Sequence, residues 1–376
     1  MPDLRSLHLS REDHRSVATG FATAERATPE LASLAVHRAL QAIDASLAGS
    51  ILLFLTSHFC RNTQAAVSAA ARAARCVQVL GCTAPGVFTE SEWSLSAPAA
   101  AALVLCGDTG LVAPAGDSPV LTLLTPDTAR QSWQSETAPR LGMLCVDPDS
   151  DAPSRVWTHG RVTADGQCEA SFSHARVAAG VSRGLRALSG TMTVTEGDGY
   201  DLFAVDGEPA LSTLLGQLPP ELRLANPLPL SQLFAAITDD DSDPAGALRH
   251  GRYSLVPIIG VSQDEQSLTL AVPLGVGDRL FWALRQPAAA ERDTTDLLDS
   301  LAKTLPTPDF ALMFACIGRG PYFFGSKDRD LELIGERFPD LPVIGAYGAG
   351  EVAPLVDCSG IISYSAVMAL VDCVHS

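Results

Sequence analysis

Lysine is almost missing from this chain. Only Lys303 and Lys327 occur among 376 residues, so arginine supplies nearly all of the positive charge. Acidic residues outnumber basic ones 43 to 26, a net charge of −17, and such a surface repels phosphate backbones, which excludes nucleic acid as a partner class. Long apolar runs are missing too. The stretch 255–261 is typical, being cut by Pro257 and Gly260, and no run reaches the ~20 residues of a membrane-crossing helix, so no membrane partner is expected. Residues 1–20 mix charged and polar types without the apolar core of a signal peptide. The nine cysteines are odd in number and contain no CxxC pair. The eight histidines form no HExxH. Neither a disulfide framework nor a metal site is therefore expected, and thiols scattered through apolar runs point to a reducing, cytoplasmic setting with all nine reduced. No GxxxxGK[ST] and no GxGxxG after a strand occurs, which removes the phosphate-loop and dinucleotide fingerprints. Gly180–Gly184 reads GxSxG by letter, but without the strand-to-helix elbow that would make its serine a nucleophile.

What is present centres on glycine. Residues 343–354 (VIGAYGAGEVAP) run from an apolar strand into three glycines within six residues and then a carboxylate, Glu351. Residues 315–320 (ACIGRG) close the apolar run 310–317 in a similar way and place Arg319 between Gly318 and Gly320. Glycines so spaced suit positive φ or a backbone that something approaches closely. An earlier copy exists: 77–87 aligns without a gap on 341–351, and 101–108 on 365–372, at the same offset of 264. Each copy follows an apolar run and a helical pattern (51–59 then 63–75; 310–317 then 327–338). Duplication of a strand, helix, strand, glycine loop, strand unit follows from this. The fold class expected is α+β: two lobes related by internal duplication, each a twisted mixed or antiparallel sheet with packed helices.

Between the copies the sequence predicts further elements. Thr28-Pro29-Glu30 opens a helix over 27–48, with Thr as cap and Leu31, Leu34, Ala35, Ala39, Leu40 and Ile43 on one face. Strands are predicted at 120–124 and 141–146, with an exposed turn at 147–151. A hairpin is predicted from 155–163 and 167–174, turning at Asp165-Gly166. Strands at 190–196 and 200–205 lead through the turn Asp206-Gly207 into a helix over 211–218. A solvated acidic loop spans 239–244, and the strands 253–260, 268–273 and 279–285 read as a meander.

Arg319 and Glu351 are the leading candidates. The planar guanidinium fork donates two parallel hydrogen bonds to a carboxylate or phosphate, and Glu351 can receive an ammonium group, so the pair suits a zwitterion. Each follows a strand, and neighbouring strands would bring both loops to one sheet edge, where Arg319 would hold an anion without setting stability. The alternative is a structural pair. Cys316 and Cys82 invite a nucleophile reading, which needs a thiolate; Cys82, after Gly81 at a strand end, is expected to face a pocket more than Cys316. No catalytic residue is assigned. His58, at the end of the first strand of the early copy, is the one histidine placed as a haem axial ligand. Trp93, Trp133, Trp157 and Trp282 are spaced too widely for a stacking platform.

The motifs 316–325 and 342–354 resemble the C-terminal FIST domain, 81–86 resembles the glycine motif of the N-terminal FIST domain, and 206–210 resembles the element before the second domain. The resemblance covers roughly 28–373. It implies a FIST N-terminal-like lobe over 28–220 and a FIST C-terminal-like lobe over 221–376. It further implies a sensory protein of signal transduction that binds a small polar metabolite such as an amino acid and passes its state to a separate signalling output protein. On this reading the ligand meets Cys316, Gly318, Arg319, Gly320, Tyr347, Gly348, Gly350 and Glu351, with Cys82 and Thr83 in the early copy, and no cofactor is needed. The alternatives are a haem-based nitric oxide sensor and a cysteine-dependent hydrolase or transferase.

Overall fold

A computed structural model describes residues 16–128, 138–147, 152–239, 243–355 and 358–374. His8, His14, Trp133, His375, the N-terminal stretch 1–15, most of the turn 147–151 and the centre of the acidic loop (240–242) lie outside the described residues. The chain is α+β and divides into two compact units: Met1–Val181 with Leu297–Pro354 and Cys358–Ser376, and Ser182–Asp296 with Leu355–Asp357.

The larger unit holds three six-stranded sheets. In the first, Ser50–Thr56 pairs in parallel with Val79–Ala84 and antiparallel with Ala99–Leu105, which carries Val17–Thr23 on its far side. In another, Phe310–Cys316 pairs in parallel with Val343–Gly348 and antiparallel with Ala366–Cys373. These six central strands are buried at every position. That is why they read as unbroken apolar runs rather than alternating ones: both sheet faces are covered. Helix Pro29–Ala42 lays Leu31, Ala35, Val36, Ala39 and Leu40 into the first core, and helix Arg329–Arg337 buries Leu331, Leu333 and Ile334 in the second. The same succession occurs twice: strand, single-turn 3-10 helix (Ser57–Phe59; Ile317–Arg319), α-helix, parallel strand, antiparallel strand. Ile51 stands opposite Val79, and Ala311 opposite Val343.

In the smaller unit, Arg279–Arg285, Met192–Asp198, Asp201–Val205, Ser267–Leu270, Ser254–Ser262 and Leu233–Ile237 pair antiparallel in that order. The last also pairs with the first, Leu233 opposite Leu284 through Ile237 opposite Leu280, and this closes a six-stranded barrel. Inward residues such as Val205, Leu268, Leu280 and Trp282 fill it, and helix Ala210–Gln217 adds Leu211 and Leu214 to the same core.

Two expectations about strand pairing change. The strands around 255, 268 and 280 are not a meander: the third pairs with Leu233–Ile237 and Met192–Asp198, because ring closure takes both of its edges. The 155–174 hairpin is not formed either. Val156–Thr158 turns back on Arg161–Val162 through His159 and Gly160, both at positive φ, while Gln167–Ser173 pairs with Val120–Leu124. In the smaller unit Leu185–Ala187 pairs with Arg279–Arg285.

All nine cysteines are free. Thiol titration of denatured, unreduced protein should count nine; a count of seven would reveal a disulfide.

Candidate functional site

Because Phe310–Cys316 and Val343–Gly348 are parallel neighbours in register, with Cys316 opposite Gly348, their C-terminal ends lie side by side. The turn Ile317–Arg319 then directs Arg319 inward, where it is only 1% exposed. Its guanidinium takes Asp330 with two bonds, Nε to Oδ2 at 2.9 Å and Nη2 to Oδ1 at 3.1 Å, and Asp330 is equally buried. Asp328, the N-cap of helix Arg329–Arg337, accepts from the Leu331 N–H at 3.1 Å and from the Tyr347 hydroxyl at 2.5 Å. Glu351, in strand Gly350–Pro354, is fully buried. Its Oε2 accepts from the Ser365 hydroxyl at 2.5 Å and the Ser365 N–H at 3.3 Å, whereas Oε1 has no hydrogen-bond partner.

One guanidinium therefore serves three buried carboxyls. Burial pushes the Glu351 carboxyl up from its ordinary 4.5 to about 8; the Ser365 hydrogen bonds and the charge of Arg319 pull the other way without reversing it. Asp328 rises to about 6 through burial and then the neighbouring charge of Asp330, against the Tyr347 and Leu331 hydrogen bonds. Burial, followed by the Asp328 carboxylate, raises the Tyr347 phenol as well. Burial thus favours the protonated form of Glu351 at neutral pH.

The glycines are explained by the chain itself. A Cβ on Gly345 would overlap the Met313 carbonyl oxygen and the Phe88 ring. One on Gly348 would lie 2.7 Å from Met143 Cε, one on Gly320 3.1 Å from the Tyr347 ring, and one on Gly350 3.2 Å from Ile361. The glycine-rich segment is not a loop but two strands broken only at Ala349, and close approach rather than positive φ is what it requires. Gly318 sits in the inward turn beside Arg319.

Cys316 ends its strand buried, with its N–H bonded to the Ser365 carbonyl. Cys82 was expected to face a pocket, but it is 0% exposed, its thiol packed against Met143 Sδ at 4.0 Å and close to Cys145. Burial first, and then the proximity of Cys145, raise its thiol well above 9. A thiol so placed supplies no thiolate at neutral pH, which disfavours cysteine chemistry there. Thr83 holds the Arg155 backbone: its N–H donates to the Arg155 carbonyl at 2.8 Å, its Oγ1 accepts from the Arg155 N–H at 2.9 Å and donates to that carbonyl at 3.5 Å. His58 lies in the first 3-10 turn, its Nδ1 3.2 Å from Thr56 Oγ1. Among the described residues no group of three or more His, Cys, Asp or Glu is placed to hold a metal ion.

The sequence reading missed Asp328, Asp330 and Ser365. Asp328 left a signal: an aspartate just before a helical pattern is a capping residue, and its helix had been placed at 327–338.

Residues 211–354 match the FIST C domain family, a span that holds Arg319, Asp328, Asp330, Tyr347 and Glu351. Among related proteins, "Uncharacterized protein Rv0628c" of Mycobacterium tuberculosis is 27% identical over 195 residues, which is 50% of this chain and 49% of the relative. "Uncharacterized protein Mb0898c" of Mycobacterium bovis is 28% identical over the same length and shares. The match thus spans about half the length of each relative. No helix among the described residues is long and apolar enough to cross a membrane. The motifs at 316–325 and 342–354 lie inside the matched span, so residues 211–354 of this chain are what is similar to the FIST C domain.

Proposed function

We propose that this protein is a ligand-binding sensor of signal transduction, the role with which FIST C domains are associated, and that its ligand is a small polar metabolite such as an amino acid. The observation that carries this reading is Glu351, fully buried with Oε1 unpartnered. A buried carboxyl oxygen without a donor is costly and marks where an incoming N–H or O–H belongs. An ammonium group arriving there displaces the proton that Glu351 holds, while Arg319 stays with Asp330. On this reading Tyr347, Gly348 and Gly350, with Cys316, Gly318 and Gly320 around the turn Ile317–Arg319, would line the ligand's seat. The recurrence of one strand and helix succession supports internal duplication, with a FIST N-terminal-like lobe over 28–220 and a C-terminal-like lobe over 221–376; a separate output protein receives the signal.

A thermal-shift screen with L-amino acids and small carboxylic acids tests the reading. A ligand at a hundred times its Kd adds roughly 2.7 kcal/mol of stability. Glu351→Gln should abolish that gain for an amine ligand. Equal stabilisation of wild type and Glu351→Gln by every amine-bearing compound, or no shift with any of them, defeats it.

A further inference from the structure

A cavity of about 330 Å³ opens in the larger unit, next to the early copy of the duplicated motif and outside the FIST C span. That is near the lower end of small-molecule sites. Its lining includes Thr125, Ser154, Arg155, Thr163 and Gly166. Arg155 is fixed at its backbone by the bonds to Thr83 in the central strand Val79–Ala84, so its Cα is held while its side chain is exposed. The guanidinium makes no ion pair or hydrogen bond among the described residues. Other arginines in this unit have their acids: buried Arg140 has Glu169, buried Arg319 has Asp330, and exposed Arg176 has Asp372. No lining residue of the cavity is acidic.

The hydroxyls point the same way. Thr125 is 8% exposed, and its Oγ1 donates to nothing among the described residues. Its N–H is committed to the Gly166 carbonyl at 2.7 Å, and the Thr128 hydroxyl to that carbonyl at 2.9 Å, so the wall is pinned. Gly166 has φ +66° and a Cβ there would overlap Thr125 Oγ1, so glycine keeps this hydroxyl clear. The Ser154 hydroxyl is also uncommitted among the described residues. A fork of guanidinium donors with hydroxyls around it and no carboxylate is the donor set of an oxyanion site. Net repulsion from a chain of charge −17 is screened beyond a Debye length, about 8 Å in physiological salt, so the contact groups decide.

We propose that this cavity binds the oxyanion group, carboxylate or phosphate, of a small metabolite, with Arg155 as its principal donor and the Thr125 and Ser154 hydroxyls completing the shell. The site is independent of Glu351.

Calorimetric titration of the full chain with inorganic phosphate and, separately, with succinate tests it, at ionic strength held constant with sodium chloride. Saturable binding of at least one probe at a single site is expected; preference between the two identifies the group. Arg155→Gln should weaken binding at least about tenfold by removing the charged fork. It leaves the backbone bonds to Thr83 in place, and an unchanged melting temperature would verify the fold. Thr125→Val should weaken binding several-fold, and Glu351→Gln should leave it unchanged. If neither probe binds wild type at millimolar concentration, or Arg155→Gln binds as tightly as wild type, the proposal is overturned. Loss of binding in Glu351→Gln would overturn the independence of the two sites.

Discussion

Arg319→Ala should destabilise the protein by about 3–5 kcal/mol, the cost of stranding one member of a buried ion pair. The partner left behind is Asp330, 1% exposed and bound by Nε and Nη2. Asp330 shares its surroundings with Asp328, whose carboxyl the Asp330 charge already pushes up, so removing the one cation leaves like charges facing each other in a dry site. This reverses the expectation drawn from the sequence alone, in which Arg319 met an external anion and could be lost without much effect on the fold. Arg319→Lys should recover only part of the loss, because an ammonium cannot reproduce the side-on fork. The double variant Arg319→Leu/Asp330→Leu should cost less than Arg319→Ala, since an apolar pair of similar volume leaves no unpaired charge. Urea unfolding with a common m-value measures all three. Equal stability of wild type and Arg319→Ala would show that the pair contributes nothing and that Arg319 is free for a ligand after all.

The contrast shows what local sequence can and cannot carry. The buried parallel strands were legible because a strand covered on both faces is apolar at every position, as in residues 310–316 and 343–347. The helix at 29–42 was legible from its proline and period, but the Thr28 side chain makes no capping hydrogen bond and the helix ends at Ala42 rather than 48. Which strands would pair was not legible. Asp165-Gly166 does mark a reversal, with Gly166 at φ +66°, yet the strand after it joins Val120–Leu124 some 45 residues back. Turn chemistry says where the chain reverses; distant packing selects the partner. The glycines at 345, 348 and 350 read as points of positive φ or of close approach; the second holds, and what approaches is Met313, Phe88, Met143 and Ile361, which no local pattern names. The polar network was half visible. Arg319 and Glu351 stood out between glycines, whereas Asp330 looked like an ordinary first-turn acid until the turn at 317–319 brought Arg319 onto it.

Glu351→Gln should gain stability relative to wild type as pH rises. Folding lifts the Glu351 carboxyl from 4.5 to about 8, chiefly by burial, so between those values the native state holds a proton that the unfolded chain has released. Stability contributed by this group is complete below pH 4.5 and is lost as pH climbs through 8, at up to about 1.4 kcal/mol per unit. Over that window wild type should lose roughly 3–5 kcal/mol relative to the glutamine variant, which has no proton to release. Asp328, lifted from 3.8 to about 6, acts in the same direction over a lower window, but it is present in both proteins and cancels in the difference. Glutamine keeps an acceptor for the Ser365 hydroxyl and N–H, so loss of those bonds cannot imitate the slope. Chemical unfolding of both proteins from pH 4.5 to 8.5 supplies the two curves. Curves that stay parallel would mean that Glu351 is ionised in the folded protein at neutral pH, its unpartnered oxygen already satisfied, and the reading of that oxygen as the seat of a ligand's donor would fall with it.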